Sequence, residues 1–136
     1  MNNRILAKSE NYIITHEWEI AYLIRLRDNF KIMIGEFYGD PSCAFIPEDE
    51  RFCIIGGRGF IIYNIHEPFI PYENNKKTDQ WIDFYRNKDN ELWIDSIYNG
   101  DSKNEVKIVV DPYDKINGGI YIFNIKKKEL KKILPE

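Results

Sequence analysis

The sequence predicts a mainly β fold, or α+β with at most one or two short helices. The expected arrangement is an antiparallel meander sheet, barrel-like or sandwich in form. Three observations lead there. Alanine, the best helix former, occurs only at Ala7, Ala21 and Ala44. Isoleucine, tyrosine and phenylalanine are abundant, and such side chains fit a pleated, half-buried surface. Heavy use of Ile, Asn and Lys is also the habit of AT-rich genomes, which takes some weight from that point. Finally, short apolar runs alternate with clusters of Gly, Pro, Asn and Asp, the spacing of strands and turns.

The clearest period runs over residues 18–26, where Trp18, Ile20, Tyr22, Ile24 and Leu26 alternate with their neighbours. Period two is a half-buried strand; an amphipathic helix from Thr15 is the competing reading. A three-residue loop, Arg27-Asp28-Asn29, would set Leu26 opposite Phe30 and Ile24 opposite Ile32. Asn29 suits the left-handed position of such a loop. Gly39-Asp40-Pro41-Ser42 is turn chemistry. Strands follow at residues 43–46, 52–55 and 60–65, separated by Pro47-Glu48-Asp49-Glu50 and by Gly56-Gly57-Arg58-Gly59. Residues 66–78 have no period and form either a functional loop or a plain crossover. Residues 81–86 and 91–98, around Asn87-Lys88-Asp89-Asn90, read as a second hairpin. Further strands are expected at 105–110 and 120–125, the loop between them opening with Asp111-Pro112-Tyr113 and closing at Gly118-Gly119. Residues 126–136 form a basic C-terminal helix or tail. Gly56 to Ile65 and Gly118 to Ile125 resemble one another as two uses of a glycine turn leading into a buried strand; two such matches do not make a repeat protein.

The 136 residues fit a single domain over residues 1–136. An aromatic content of 15% excludes a disordered chain, which is poor in such residues. The first ten residues lack a secretory apolar core, and no run approaches the roughly 20 apolar residues of a membrane span. The expectation is a cytoplasmic protein without a membrane partner, with Cys43 and Cys53 reduced. The net charge of −3 divides unevenly. Residues 1–125 carry −6, while the last eleven carry +3 through Lys126, Lys127, Lys128, Lys131 and Lys132. An acidic body argues against nucleic acid as the main ligand, which needs a basic face.

Few residues suggest chemistry. His16 and His66 are the only histidines, and only His66 with Cys43 or Cys53 would resemble a thiol nucleophile with its base. The cysteines lie on the two arms of one expected hairpin, where they would face each other. Two cysteines and one histidine fall short of a structural zinc site. Gly56-Gly57-Arg58-Gly59 lacks the ending and the following helix of a phosphate loop. No catalytic residue, metal or cofactor is therefore expected. The defined grouping is on the strand at 81–86. Asp79, Trp81, Asp83 and Tyr85 share one face at about 7 Å spacing, opposite Ile82 and Phe84. Asp95 joins them from the supposed partner strand. Tyr and Trp are enriched at interface hot spots, and carboxylates suit a basic partner. The alternatives are a solvated outer face and a catalytic carboxylate pair.

Gly39-Asp40-Pro41, Cys43-Ala44-Phe45-Ile46, Phe52-Cys53-Ile54-Ile55-Gly56-Gly57 and Gly59-Phe60-Ile61-Ile62-Tyr63 resemble small bacterial immunity proteins encoded beside polymorphic or contact-dependent toxins. Asp111-Pro112-Tyr113 and Gly119-Ile120-Tyr121-Ile122-Phe123 extend the resemblance, which covers residues 35–125. It implies a cytoplasmic, acidic, non-catalytic protein that binds one toxin domain and occludes its basic active site. No contact residue carries over from it. The competing expectations are an accessory or regulatory β-domain, including a homodimer through an edge strand, and a small carboxylate-dependent hydrolase.

Overall fold

The computed structural model describes residues 4–135, and these contain strands but no helix. Twelve strands form three antiparallel four-stranded sheets, each a simple meander. The first sheet is β1 (Arg4–Lys8), β2 (Tyr12–Glu17), β3 (Ile20–Arg25) and β4 (Phe30–Glu36). The central sheet is β5 (Cys43–Phe45), β6 (Phe52–Gly57), β7 (Gly59–Asn64) and β8 (Trp81–Phe84). The third is β9 (Ile94–Asn99), β10 (Glu105–Val110), β11 (Gly119–Asn124) and β12 (Glu129–Leu134). The mainly β, antiparallel expectation holds, and no sheet closes into a barrel.

The sheets stack in three layers. On one side of the central sheet, Cys53, Ile55, Ile61, Tyr63 and Trp81 meet Ile14, Ala21, Leu23, Ile32 and Ile34 of the first sheet. On the other side, Phe52, Ile54, Phe60 and Ile62 meet Val106, Ile108, Tyr121 and Phe123 of the third. Both faces of β6 and β7 are therefore buried, which is why 52–57 and 60–63 are apolar almost without interruption. β1 lies beside β5, and β5 beside β9, so the first strands of the layers adjoin. Close approach sets residue choice at Gly56, where an added Cβ would stand 2.8 Å from Ile94 Cγ2 of the next sheet.

Several expected details are corrected. Trp18 is not part of a strand running to Leu26; it sits at the β2–β3 hairpin tip with φ 55° and is 69% exposed. The inward residues of β3 are Ala21 and Leu23, not Ile20, Tyr22 and Ile24, which face outward and are half-buried. The β3–β4 loop has four residues, because Arg25 pairs with Phe30 and Leu23 with Ile32. Asn29 does take the left-handed position, at φ 60°. β8 and β9 form no hairpin, since the chain between them crosses from the central sheet to the third. The basic C-terminal segment is neither helix nor tail: β12 pairs with β11 after a four-residue turn. Residues 66–80 are not a crossover but a long loop between the neighbouring strands β7 and β8, tied to the core. Tyr63 Oη donates to the Ile70 carbonyl (2.5 Å), and the Gln80 amide bridges Ile70 N–H and the Asn64 carbonyl (3.1 and 2.8 Å). Phe69, Ile70 and Tyr72 pack into the first core through it.

The two similar segments noted in the sequence are β7 and β11. Each is the third strand of its sheet, with Gly59 and Gly119 in the same place and Asn64 and Asn124 ending each strand. β3 is the third strand of the first sheet.

Candidate binding cleft

The segment that carries the chain from the central to the third sheet builds one wall of a cleft of about 710 Å³. Tyr85 begins it, with φ 53°, and its carbonyl accepts Leu92 N–H (3.1 Å). Leu92 and Trp93 are then pinned from two directions. Gly59 N–H donates to the Leu92 carbonyl (2.6 Å), and Asp111 N–H to the Trp93 carbonyl (2.8 Å). Held this way, the indole remains 41% exposed at the cleft wall.

The opposite wall is the loop between β10 and β11, which orders itself. The Asp111 carboxylate accepts Tyr113 N–H (2.9 Å). One Asp114 oxygen accepts both Ile116 and Asn117 N–H (2.9 Å each). Gly118 N–H donates to the Asp114 carbonyl (2.8 Å), and Tyr121 Oη to the Asn117 carbonyl (2.7 Å). The turn throws Tyr113 and Ile116 outward, 89% and 83% exposed. The Asn117 and Ile116 amides hold the Asp114 carboxyl below its usual range, so it stays ionised at neutral pH.

A polar line continues from the cleft. Glu91 accepts Trp93 Nε1 (3.3 Å) and forms an ion pair with Arg58, whose guanidinium lies 5.2 Å from the centre of the exposed Tyr38 ring. Beyond Tyr85 a second hollow of about 360 Å³ opens beside Arg58 and Arg86.

The expected binding face is taken apart by this geometry. Trp81 is core, 3% exposed, with its ring 6.1 Å from Tyr63 and 5.1 Å from Tyr72. Asp83 beside it is satisfied within the fold: the Tyr72 hydroxyl lies 3.1 Å from both its oxygens and Arg86 3.6 Å away. Burial, followed by the opposing and reinforcing charges of Arg86 and Asp83, pushes the Tyr72 hydroxyl pKa up. Ile82, expected inward, is 36% exposed. Asp79 is exposed and adds its carbonyl to Asn64 Nδ2 (2.8 Å). Asp95 lies on a different sheet, where it accepts the Ser96 hydroxyl (3.3 Å). Of the five, Tyr85 alone lines the larger cleft.

Glu91, Trp93, Tyr113, Asp114 and Ile116 were not singled out as site residues. A signal existed. Tyr113 and Ile116 lie in a stretch rich in turn residues, where no strand face needs an aromatic or a branched apolar side chain.

Thiol chemistry finds no support. Cys43 pairs with Gly56 rather than facing Cys53, and the two thiols belong to opposite cores. Burial raises the Cys53 pKa and lifts that of Cys43 to about 11, so both stay protonated at neutral pH. His16 is buried, with Nδ1 2.9 Å from the Trp18 carbonyl, and His66 is exposed. Among the described residues no three His, Cys, Asp or Glu side chains gather to hold a metal ion. Nor is any helix there long and apolar enough to cross a membrane.

No protein-family model matches the chain, and no curated protein matches it significantly.

Proposed function

We propose that this protein is a non-catalytic binding protein, and most concretely an immunity protein that occludes the basic active site of a cognate toxin. The observation that carries this reading is the cleft between Trp93 and the self-ordered 111–118 loop. It offers exposed aromatic and aliphatic anchors beside the carboxylates of Glu91 and Asp114. Tyr, Trp and Arg dominate interface energetics; Arg58 and Tyr38 continue the line from Trp93 through Glu91, and Tyr113 stands exposed on the loop that forms the opposite wall. Carboxylates steer association with a basic partner, while the anchors set how long it stays bound. A carboxylate-dependent hydrolase is less well supported. It needs an acid protonated near neutral pH, whereas Asp114 is held ionised and Glu91 is already paired with Arg58.

The test is co-expression with the toxin-like product of an adjacent gene, together with measured affinity of the purified pair. Trp93→Ala and Tyr113→Ala each remove an exposed ring and are expected to weaken binding at least tenfold, about 1.4 kcal/mol or more. Both variants should keep the wild-type unfolding midpoint within error. Undiminished affinity in both, or failure of the wild type to protect cells, sinks the reading.

A further inference from the structure

The two stacked interfaces are the same interface made twice. β7 and β11 correspond residue by residue from Gly59/Gly119 to Asn64/Asn124. β3 falls into the same frame through its hairpin: Arg25 pairs with Phe30 as Asn124 pairs with Glu129, and Asn29 and Lys128 hold the same loop position at φ 60° and 58°. The β3–β4 and β11–β12 ladders even slip at the same point, Ala21/Tyr22 and Ile120/Tyr121. In this frame Ala21, Phe60 and Ile120 are equivalent, as are Leu23, Ile62 and Ile122; call this the forward face. Tyr22, Ile61 and Tyr121, with Ile24, Tyr63 and Phe123, form the rear face.

The forward face of the first sheet packs on the rear face of the central one, and the forward face of the central sheet on the rear face of the third. The stack is therefore head-to-tail, and it leaves two unlike faces open. On the third sheet the open forward face carries half-buried Ile120, Ile122 and Val109. On the first, the open rear face carries half-buried Ile13, Tyr22 and Ile24. Neither set belongs to a core cluster.

We propose that these two faces are halves of a third such interface, and that the forward face of the third sheet receives the rear face of the first sheet of a second copy. The existing contacts give the register. Phe60 and Phe84 on the central forward face lie 5.2 and 5.0 Å from the Phe123 ring on the next rear face. Their counterparts place Ile120 of one copy against Ile24 of the other. Charges temper the contact. Where the central forward face has Ile54 and Ile82, the third sheet has Lys107 and Lys131; where the central rear face has Trp81, the first sheet has Lys31, paired with Glu17 over the Tyr22 ring. Association is accordingly weak and concentration-dependent. An interface of unlike faces grows into a ring or an open chain according to whether its rotation closes. It uses none of the cleft residues and does not depend on the toxin-binding reading.

Two full-length variants, Ile24→Cys and Ile120→Cys, are mixed and mildly oxidised, with each variant alone and the wild type as controls. The expected product is a disulfide joining one copy of each variant, in clear excess over either homodimer. Sedimentation should show the wild-type mass rising with concentration. Lys107→Ile with Lys131→Ile should lower the concentration for half-association at least tenfold. A dominant link between two Ile120→Cys copies or between two Ile24→Cys copies overturns the proposal. So does a monomer at every concentration without the mixed link.

Discussion

Gly59 shows how one residue serves both fold and cleft. Its φ of 75° is in the left-handed region, and its N–H fixes the Leu92 carbonyl beside Trp93. A Cβ there would lie 2.5 Å from the Phe84 carbonyl and 2.7 Å from that of Tyr85. Gly59→Ala is therefore expected to destabilise by more than about 1 kcal/mol, since alanine at positive φ is strained even in open space. Urea denaturation reads this, and an unchanged midpoint would show that the turn relaxes freely. At the same scale, Trp81 shows why the sequence suggests an exposed face where the structure has core. Its neighbours in the strand pattern are Asp79 and Asp83, which look solvated from the sequence. Asp83 is instead answered by Tyr72 and Arg86, one of them from the irregular 66–80 segment. A carboxylate whose partners come from outside its own strand leaves no local trace of those bonds.

Between elements, legibility follows how local the determining contact is. The β5–β6–β7 meander is read correctly because its turns and its apolar runs agree. The supposed hairpin around Asn87-Lys88-Asp89-Asn90 fails because turn chemistry says where a chain bends, and not which sheet it joins afterwards. The inward face of β3 fails for a related reason. Both of its faces carry apolar residues, and Lys31 lies 4.3 Å over the outward Tyr22 ring, so alternation alone does not choose between them. One inter-element tie makes a pH prediction. Glu50, in the β5–β6 loop, accepts hydrogen bonds from the Ser9 hydroxyl and from Asn11 N–H (2.9 Å) in the β1–β2 turn. Partial burial raises its pKa, but these bonds outweigh that and leave it below the usual glutamate value. Its stabilisation is present above the unfolded-state pKa and is lost as pH falls through the folded one. Glu50→Gln should cost about 0.5–1 kcal/mol at neutral pH, a modest figure for a solvent-screened site. In denaturation below the carboxylate range, the variant and the wild type should converge; a constant gap would assign the effect to packing.

For the whole molecule, the three-layer order determines where stability is greatest. β6 and β7 are covered on both faces, while β1 and β12 are edge strands with exposed residues. Amides that open only with global unfolding are expected in β6 and β7, and local opening in β1 and β12. Native-state hydrogen exchange should rank protection in that order, and β12 as well protected as β6 would refute it. Composition and turn spacing were enough to foresee an antiparallel all-strand chain. The stacking of sheets was not foreseeable, because it depends on which of two apolar faces meets which, and each face alone looks like any other.

The 111–118 loop has one more consequence. Its backbone is held by Asp111, Asp114 and Gly118, which leaves the side chains of Pro112, Tyr113, Lys115 and Ile116 without a part in those bonds. Scaffold and recognition are thus written in different letters of the same short stretch. Substitutions at the second set would change what the cleft presents while leaving the hydrogen bonds that shape the loop, and the sheets beneath it, as they are.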